Sequence, residues 1–196
     1  MRSDIDEHEA ALLRAEIRRL SGELADAQKR IVDLEARADV DPLLDILNRR
    51  GFERELTRAI SHVGRYGTPA ALMFIDLDGF KAVNDRYGHA AGDALLRAVA
   101  AELTDHVRAS DVVGRLGGDE FGVLMWHVAP PLAEAKARDL ERLIERLALA
   151  QSGAVLSVGA SAGIVPLSAG VGSAVLIDAA DHAMYARKRE RRGEGQ

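Results

Sequence analysis

Two adjacent carboxylates, Asp119 and Glu120, stand directly after a glycine pair in Arg115-Leu116-Gly117-Gly118-Asp119-Glu120-Phe121. β-prone runs lie on either side, near 112–116 and 121–128, so the stretch reads as a β-hairpin with its turn at Gly117-Gly118. Glycines let a bulky anionic group approach the backbone, and carboxylates beside that approach can hold a divalent metal that bridges to phosphate oxygens. A second set of acids closes Phe74-Ile75-Asp76-Leu77-Asp78, where an apolar strand stops. Strand ends in α/β sheets are where ligands bind, and an acid inside such a run is costly unless paired or metal-bound. If the hairpin lies beside this strand, Asp76 and Asp119 meet at one edge, as a two-carboxylate Mg²⁺ site needs. Asp78 alternates with Asp76 and reads equally well as a helix cap. Asn84 and Asp93 offer the acceptors and donors needed to read a guanine edge, yet their neighbourhood, Asn84-Asp85-Arg86-Tyr87-Gly88-His89, also suits an ordinary turn.

These groups need a scaffold. Strands are expected at about 70–75, 112–116, 121–128 and 154–165. Helices are expected from Pro42 to about His62, over 92–109, from Pro130 to about 150, and over 173–190. Strands alternating with helices give an α/β or α+β sheet domain. The chain has 196 residues and is 47% hydrophobic, enough for one domain plus an extension. Its net charge of −5 gives no bulk attraction to nucleic acid or anionic membrane. Cysteine is absent, which excludes disulfides and thiolate metal sites. No apolar run of about 18 residues is present, and the N-terminal residues show no apolar signal region, so a cytoplasmic protein is the default expectation.

Residues 1–40 read as a dimerisation stalk and 41–196 as the globular domain. Ala10, Leu13, Ile17, Leu20, Leu24, Ala27, Ile31, Leu34 and Ala38 alternate spacings of three and four, a heptad pattern that favours a coiled coil. In a parallel in-register homodimer, Glu9 would face Arg14 and Arg30 would face Glu35. The other reading is a lone amphipathic helix folded back on the domain. Asp41-Pro42 ends this segment, since the residue before proline avoids helical geometry.

The spaced words Asp76-x-Asp78-x-Phe80-Lys81, Asn84-Asp85-x-Tyr87-Gly88-His89, Gly92-Asp93, Arg108-x-x-Asp111 and Gly117-Gly118-Asp119-Glu120-Phe121 resemble the GGDEF family of diguanylate cyclases. The resemblance implies a nucleotidyl-cyclase-like fold: a central, mostly antiparallel five-stranded sheet wrapped by helices, here preceded by a long coiled-coil helix. It implies condensation of two GTP into cyclic di-GMP with release of two pyrophosphates, using Mg²⁺ or Mn²⁺, two ions per GTP. By resemblance, Asp76, Asp119, Glu120 and the Leu77 carbonyl hold metal. Glu120 and Asp119 are the catalytic acids, with Glu120 beside the reacting 3′-hydroxyl. Asn84 and Asp93 read guanine, and Phe80, Lys81, His89, Gly117 and Gly118 line the nucleotide. Lys188 and Arg192 bind the triphosphate, although a solvated basic tail explains them too. Arg108 and Asp111 form an inhibitory site for the product, or else a helix-end salt bridge. The chain departs from the family where Leu44-Asp45 replaces Thr-Gly, and where Arg187 and Arg191 replace smaller residues in the last helix. The competing reading is a catalytically silent module that binds GTP or cyclic di-GMP as a receptor or scaffold; the intact acids argue against it.

Overall fold

A computed structural model describes residues 19–20, 22–24, 39–151 and 153–193. The chain divides into two units, up to Ala38 and from Asp39 onward. The heptad expectation lies almost entirely outside the described residues. Within it, 19–20 and 22–24 are helical, Arg19 pairs with Glu23 at 2.5 Å, and Leu20 and Leu24 are 50% and 60% exposed.

In the second unit α1 (Arg49–Tyr66) leads into β1 (Ala70–Asp78), α2 (Phe80–Tyr87), α3 (His89–Asp105) and the hairpin β2 (Val112–Arg115) and β3 (Glu120–Trp126). Then come α4 (Pro130–Arg146), β4 (Leu149–Gln151), β5 (Ala154–Leu156), β6 (Gly159–Pro166) and α5 (Ser173–Gly193). The main sheet runs β2-β3-β1-β6 with every pairing antiparallel. Among the described residues it has four strands rather than the five expected. The single strand expected over 154–165 breaks at Ser157-Val158, and β5 turns away to pair with β4 in a separate two-stranded sheet.

β1 is buried on both faces, which is why it reads as one apolar run. Leu72 and Phe74 point to a core under α1 and α5, with Phe52, Leu56, Leu176 and Met184. Met73, Ile75 and Leu77 point to the opposite core under α3 and α4, with Leu95, Val99, Phe121 and Ile144.

Two expected boundaries move for local reasons. The first helix starts at Arg49, not at Pro42. The Asp41 carboxylate accepts from the backbone N–H of Leu43 and Leu44, Asp45 takes φ 55°, and the Asn48 side chain then caps α1 by accepting from Gly51 N–H at 3.0 Å. The Asn84 neighbourhood, which reads as a turn, is instead helix α2, started by Gly79 at φ 86° and closed by Gly88 at φ 83°.

Candidate active site at the β1–β3 edge

Antiparallel pairing places Asp76 opposite Glu120 on one side and opposite Ser161 on the other. The Leu77 N–H donates to the Asp119 carbonyl at 3.1 Å, which ties the hairpin loop to the end of β1. Asp76, Asp119 and Glu120 therefore gather at one sheet edge, as the sequence predicts. Lys188, from α5, donates to Asp76 and lies 2.9 Å from Asp78, and the Ser161 hydroxyl donates to Asp78 at 2.7 Å. The ion pair shows that Lys188, whose side chain is only 18% exposed, is not part of a solvated basic tail. The side chain of Arg192 lies outside the described residues.

The loop differs from a two-residue turn. The N–H groups of Leu116 and Gly117 both donate to the Glu120 carbonyl, and neither Gly117 nor Gly118 takes a positive φ. Arg115 shapes it. Its guanidinium donates to the Gly117 carbonyl at 3.0 Å, to the Gly118 carbonyl at 2.7 Å and to Asp41 at 3.2 Å. Sequence reading assigned Arg115 no role; an arginine two residues before the glycine pair, with an acid at the domain start, is the signal that was present. Gly117 lies against the Glu120 side chain: a Cβ there would lie 2.1 Å from Glu120 Oε2, so the carboxylate would have to shift. Gly118 faces open space, with no atom within 4 Å of a built Cβ.

Electrostatically the edge wants a cation. Burial, and then the charge of Asp76, push the Asp119 carboxyl above the ordinary aspartate value, against its backbone hydrogen bond, Lys188 and Arg115. Burial raises Glu120 as well; Arg49 opposes this, while Asp119, Asp76 and Asp181 add to it. Burial alone would lower Lys188, but its hydrogen bonds to Asp76 and Asp78 prevail and hold it above the ordinary lysine value. Among the described residues no three His, Cys, Asp or Glu side chains converge as a ready-made metal cage. The groups at hand for a cation are the Asp76 and Asp119 carboxylates and the Leu77 carbonyl, with Glu120 next in sequence. All are oxygen donors at a charge-rich edge, which would suit a hard cation such as Mg²⁺.

The other predicted residues spread along the same rim and beyond it. Asn84 and Asp93 sit half-buried at the α2–α3 junction, just past β1. A Cβ on Gly92 would fall 2.0 Å from Asn84 Oδ1 and 3.1 Å from the Phe80 ring. Phe80 is itself buried, 7% exposed, in the core under α3 and α4. Lys81 and His89 are exposed. Gly92→Ala should displace the Asn84 amide and raise KM for a guanine nucleotide about tenfold, the cost of one or two lost hydrogen bonds, with little change in melting temperature; steady-state kinetics would check it.

Arg108 and Asp111 lie at the far end of the hairpin. Asp111 accepts from the Arg108 N–H at 3.0 Å and from the Trp126 N–H at 3.0 Å, locking the loop before β2 to the end of β3. No ion pair joins the two side chains among the described residues, so the helix-end salt bridge is not what they form; the Arg108 side chain is exposed. Both line a groove of about 290 Å³ with Trp126, His127, Lys136 and Asp139.

Residues 38–194 match the sequence profile described as diguanylate cyclase, GGDEF domain. The chain is 40% identical over 172 residues to the probable diguanylate cyclase DgcE of Escherichia coli, covering 87% of this chain and 16% of that protein. It is 39% identical over 184 residues to the diguanylate cyclase TpbB of Pseudomonas aeruginosa, covering 89% of this chain and 41% of that protein. The chain thus spans less than half the length of these curated relatives. Among solved structures, the coiled coil and GGDEF domain of DgcB from Caulobacter crescentus in complex with c-di-GMP superposes with TM-score 0.77 at 25% identity, covering 91% of this chain and 95% of that one. A sensory box/GGDEF family protein from the same organism gives TM-score 0.71 at 34% identity, covering 78% of this chain and 99% of that one.

Proposed function

The chain belongs to the GGDEF diguanylate cyclase family, and from that premise we propose that it condenses two GTP molecules into cyclic di-GMP with release of two pyrophosphates. The supporting observation is the register that sets Asp76 opposite Glu120, with Asp119 just before β3, Lys188 paired with Asp76 and open space over Gly118. In-line attack of a ribose 3′-oxygen on an α-phosphorus forms one P–O bond and breaks the bond to pyrophosphate. It needs positioning and charge compensation rather than a covalent nucleophile. Asn84 and Asp93 orient the guanine. Lys188 exchanges its pairing with Asp76 and Asp78 for the triphosphate. Gly117 and Gly118 let the phosphates reach the loop. Glu120 accepts the 3′-hydroxyl proton, and burial raises its proton affinity above the ordinary glutamate value, the direction that favours a base. Asp76, Asp119 and the Leu77 carbonyl would hold Mg²⁺ or Mn²⁺, which when bound neutralises triphosphate charge and acidifies the hydroxyl.

The product is two-fold symmetric and each chain presents one such edge, so two chains must face each other. The exposed Leu20 and Leu24, at heptad seam positions, support a parallel coiled-coil homodimer as the means. A short tether of this kind raises the partner's effective concentration to about the mM range. Arg108 and Asp111 serve as a product-inhibition site in the groove beyond the hairpin. Arg108→Ala should weaken product affinity at least about tenfold by calorimetry and relieve inhibition, since a guanidinium bonded to guanine or phosphate contributes about 1.5–3 kcal/mol. Unchanged affinity would remove the site from the account.

A further inference from the structure

β6 is an edge strand, so its backbone groups facing away from β1 lack partners in the sheet. Side chains supply two of them. The Ala162 N–H donates to Glu141 Oε1 at 3.0 Å, and the Ala160 carbonyl accepts from the Arg191 guanidinium. Glu141 projects from α4, and its side chain is 6% exposed. Its second oxygen accepts from Arg187 at 3.3 Å, while Arg191 lies 3.8 Å from the first and also pairs with Glu145. A carboxylate this buried is costly unless its oxygens are satisfied, and here donors come from β6 and α5 together.

The location carries the argument. Arg187 and Arg191 are one turn apart on α5, and Lys188 between them reaches to Asp76 and Asp78. α5 lies so close to β6 that a Cβ on Gly163 would fall 2.1 Å from the Met184 nitrogen. The clamped strand also carries Ser161, which donates to Asp78. The two elements that touch the acid edge from this side are thus both held by Glu141, which is itself paired with neither Asp76, Asp119 nor Glu120.

We propose that Glu141, through Arg187 and Arg191, is a positioning residue that fixes the end of α5 so that Lys188 meets the substrate's triphosphate. The proposal rests on the nucleotide reading of the site. Its test is Glu141→Gln, which keeps an acceptor for Ala162 but loses the charge that holds the arginines. KM for GTP should rise about tenfold, the scale of one charged hydrogen bond, with kcat held within about twofold. In a Lys188→Ala background the same substitution should change KM no further. An unchanged KM, or an equal rise in that background, overturns the proposal, because a merely structural role would act without Lys188. Hydrogen exchange gives a readout independent of turnover: the Ala162 amide and residues 183–193 should lose protection in Glu141→Gln, and unaltered protection overturns the clamp. If the unsubstituted chain makes no cyclic dinucleotide, the activity reading fails while exchange still decides the clamp. If it does and Glu141→Gln behaves identically, the positioning role alone fails. Arg187→Ala, altered on the more exposed side of the pair, repeats the test should the glutamine variant fold poorly.

Discussion

Glu120→Gln is expected to lower turnover about a thousandfold, the scale of a positioned general base, with GTP affinity kept within about threefold. The amide is nearly the same size as the carboxylate, so the close fit of Glu120 against Gly117 is retained. What is lost is an acceptor for the 3′-hydroxyl proton. Because Asp119 and Asp76 both raise the proton affinity of Glu120, removing its charge also eases repulsion along the edge. Binding should therefore hold, or improve slightly, while chemistry stops. Single-turnover assays with calorimetric GTP titration separate the two. Turnover retained within about tenfold would place the base elsewhere.

Asp119→Asn is expected to abolish metal-dependent turnover and yet stabilise the fold. Burial and Asp76 raise the Asp119 proton affinity in the folded chain above its unfolded value. Between those two values the folded chain binds more protons than the unfolded one, so stability falls as pH rises through that window and stays lower above it. The asparagine variant has no such cost. Without metal at neutral pH its melting temperature should exceed that of the unsubstituted chain, by about 1–3 °C given partial solvent screening. The gap should close as pH drops below the ordinary aspartate range. A variant that melts lower at neutral pH would show that Asp119 is a structural acid, tied in by its contacts rather than held for a cation.

Much of this edge was legible in the sequence, and the reasons are physical. β1 buries both faces, so its apolar run and the acids ending it stand out. The hairpin words fix Glu120 opposite Asp76 once β3 pairs with β1. Local competition was harder to read. Asp41 bonds two backbone amides and so delays the first helix to Arg49, and α2 is short and rich in residues that also build turns. Long-range side-chain pairing was hardest. Arg115 with Asp41 spans 74 positions and Arg187 with Glu141 spans 46, and neither partner carries a local pattern that names the other. Arg187 and Arg191 were visible only as departures from the family's usual smaller residues; the structure pairs both with Glu141.

The account turns on one reaction requiring two copies of the β1–β3 edge. Its direct test is incubation of the dimerised chain, stripped of bound nucleotide, with GTP and Mg²⁺, followed by chromatographic separation of the nucleotides. The expected result is cyclic di-GMP with two pyrophosphates released per product, abolished by chelating the metal. GTP left intact under these conditions would contradict the cyclase and leave a nucleotide-binding module in its place.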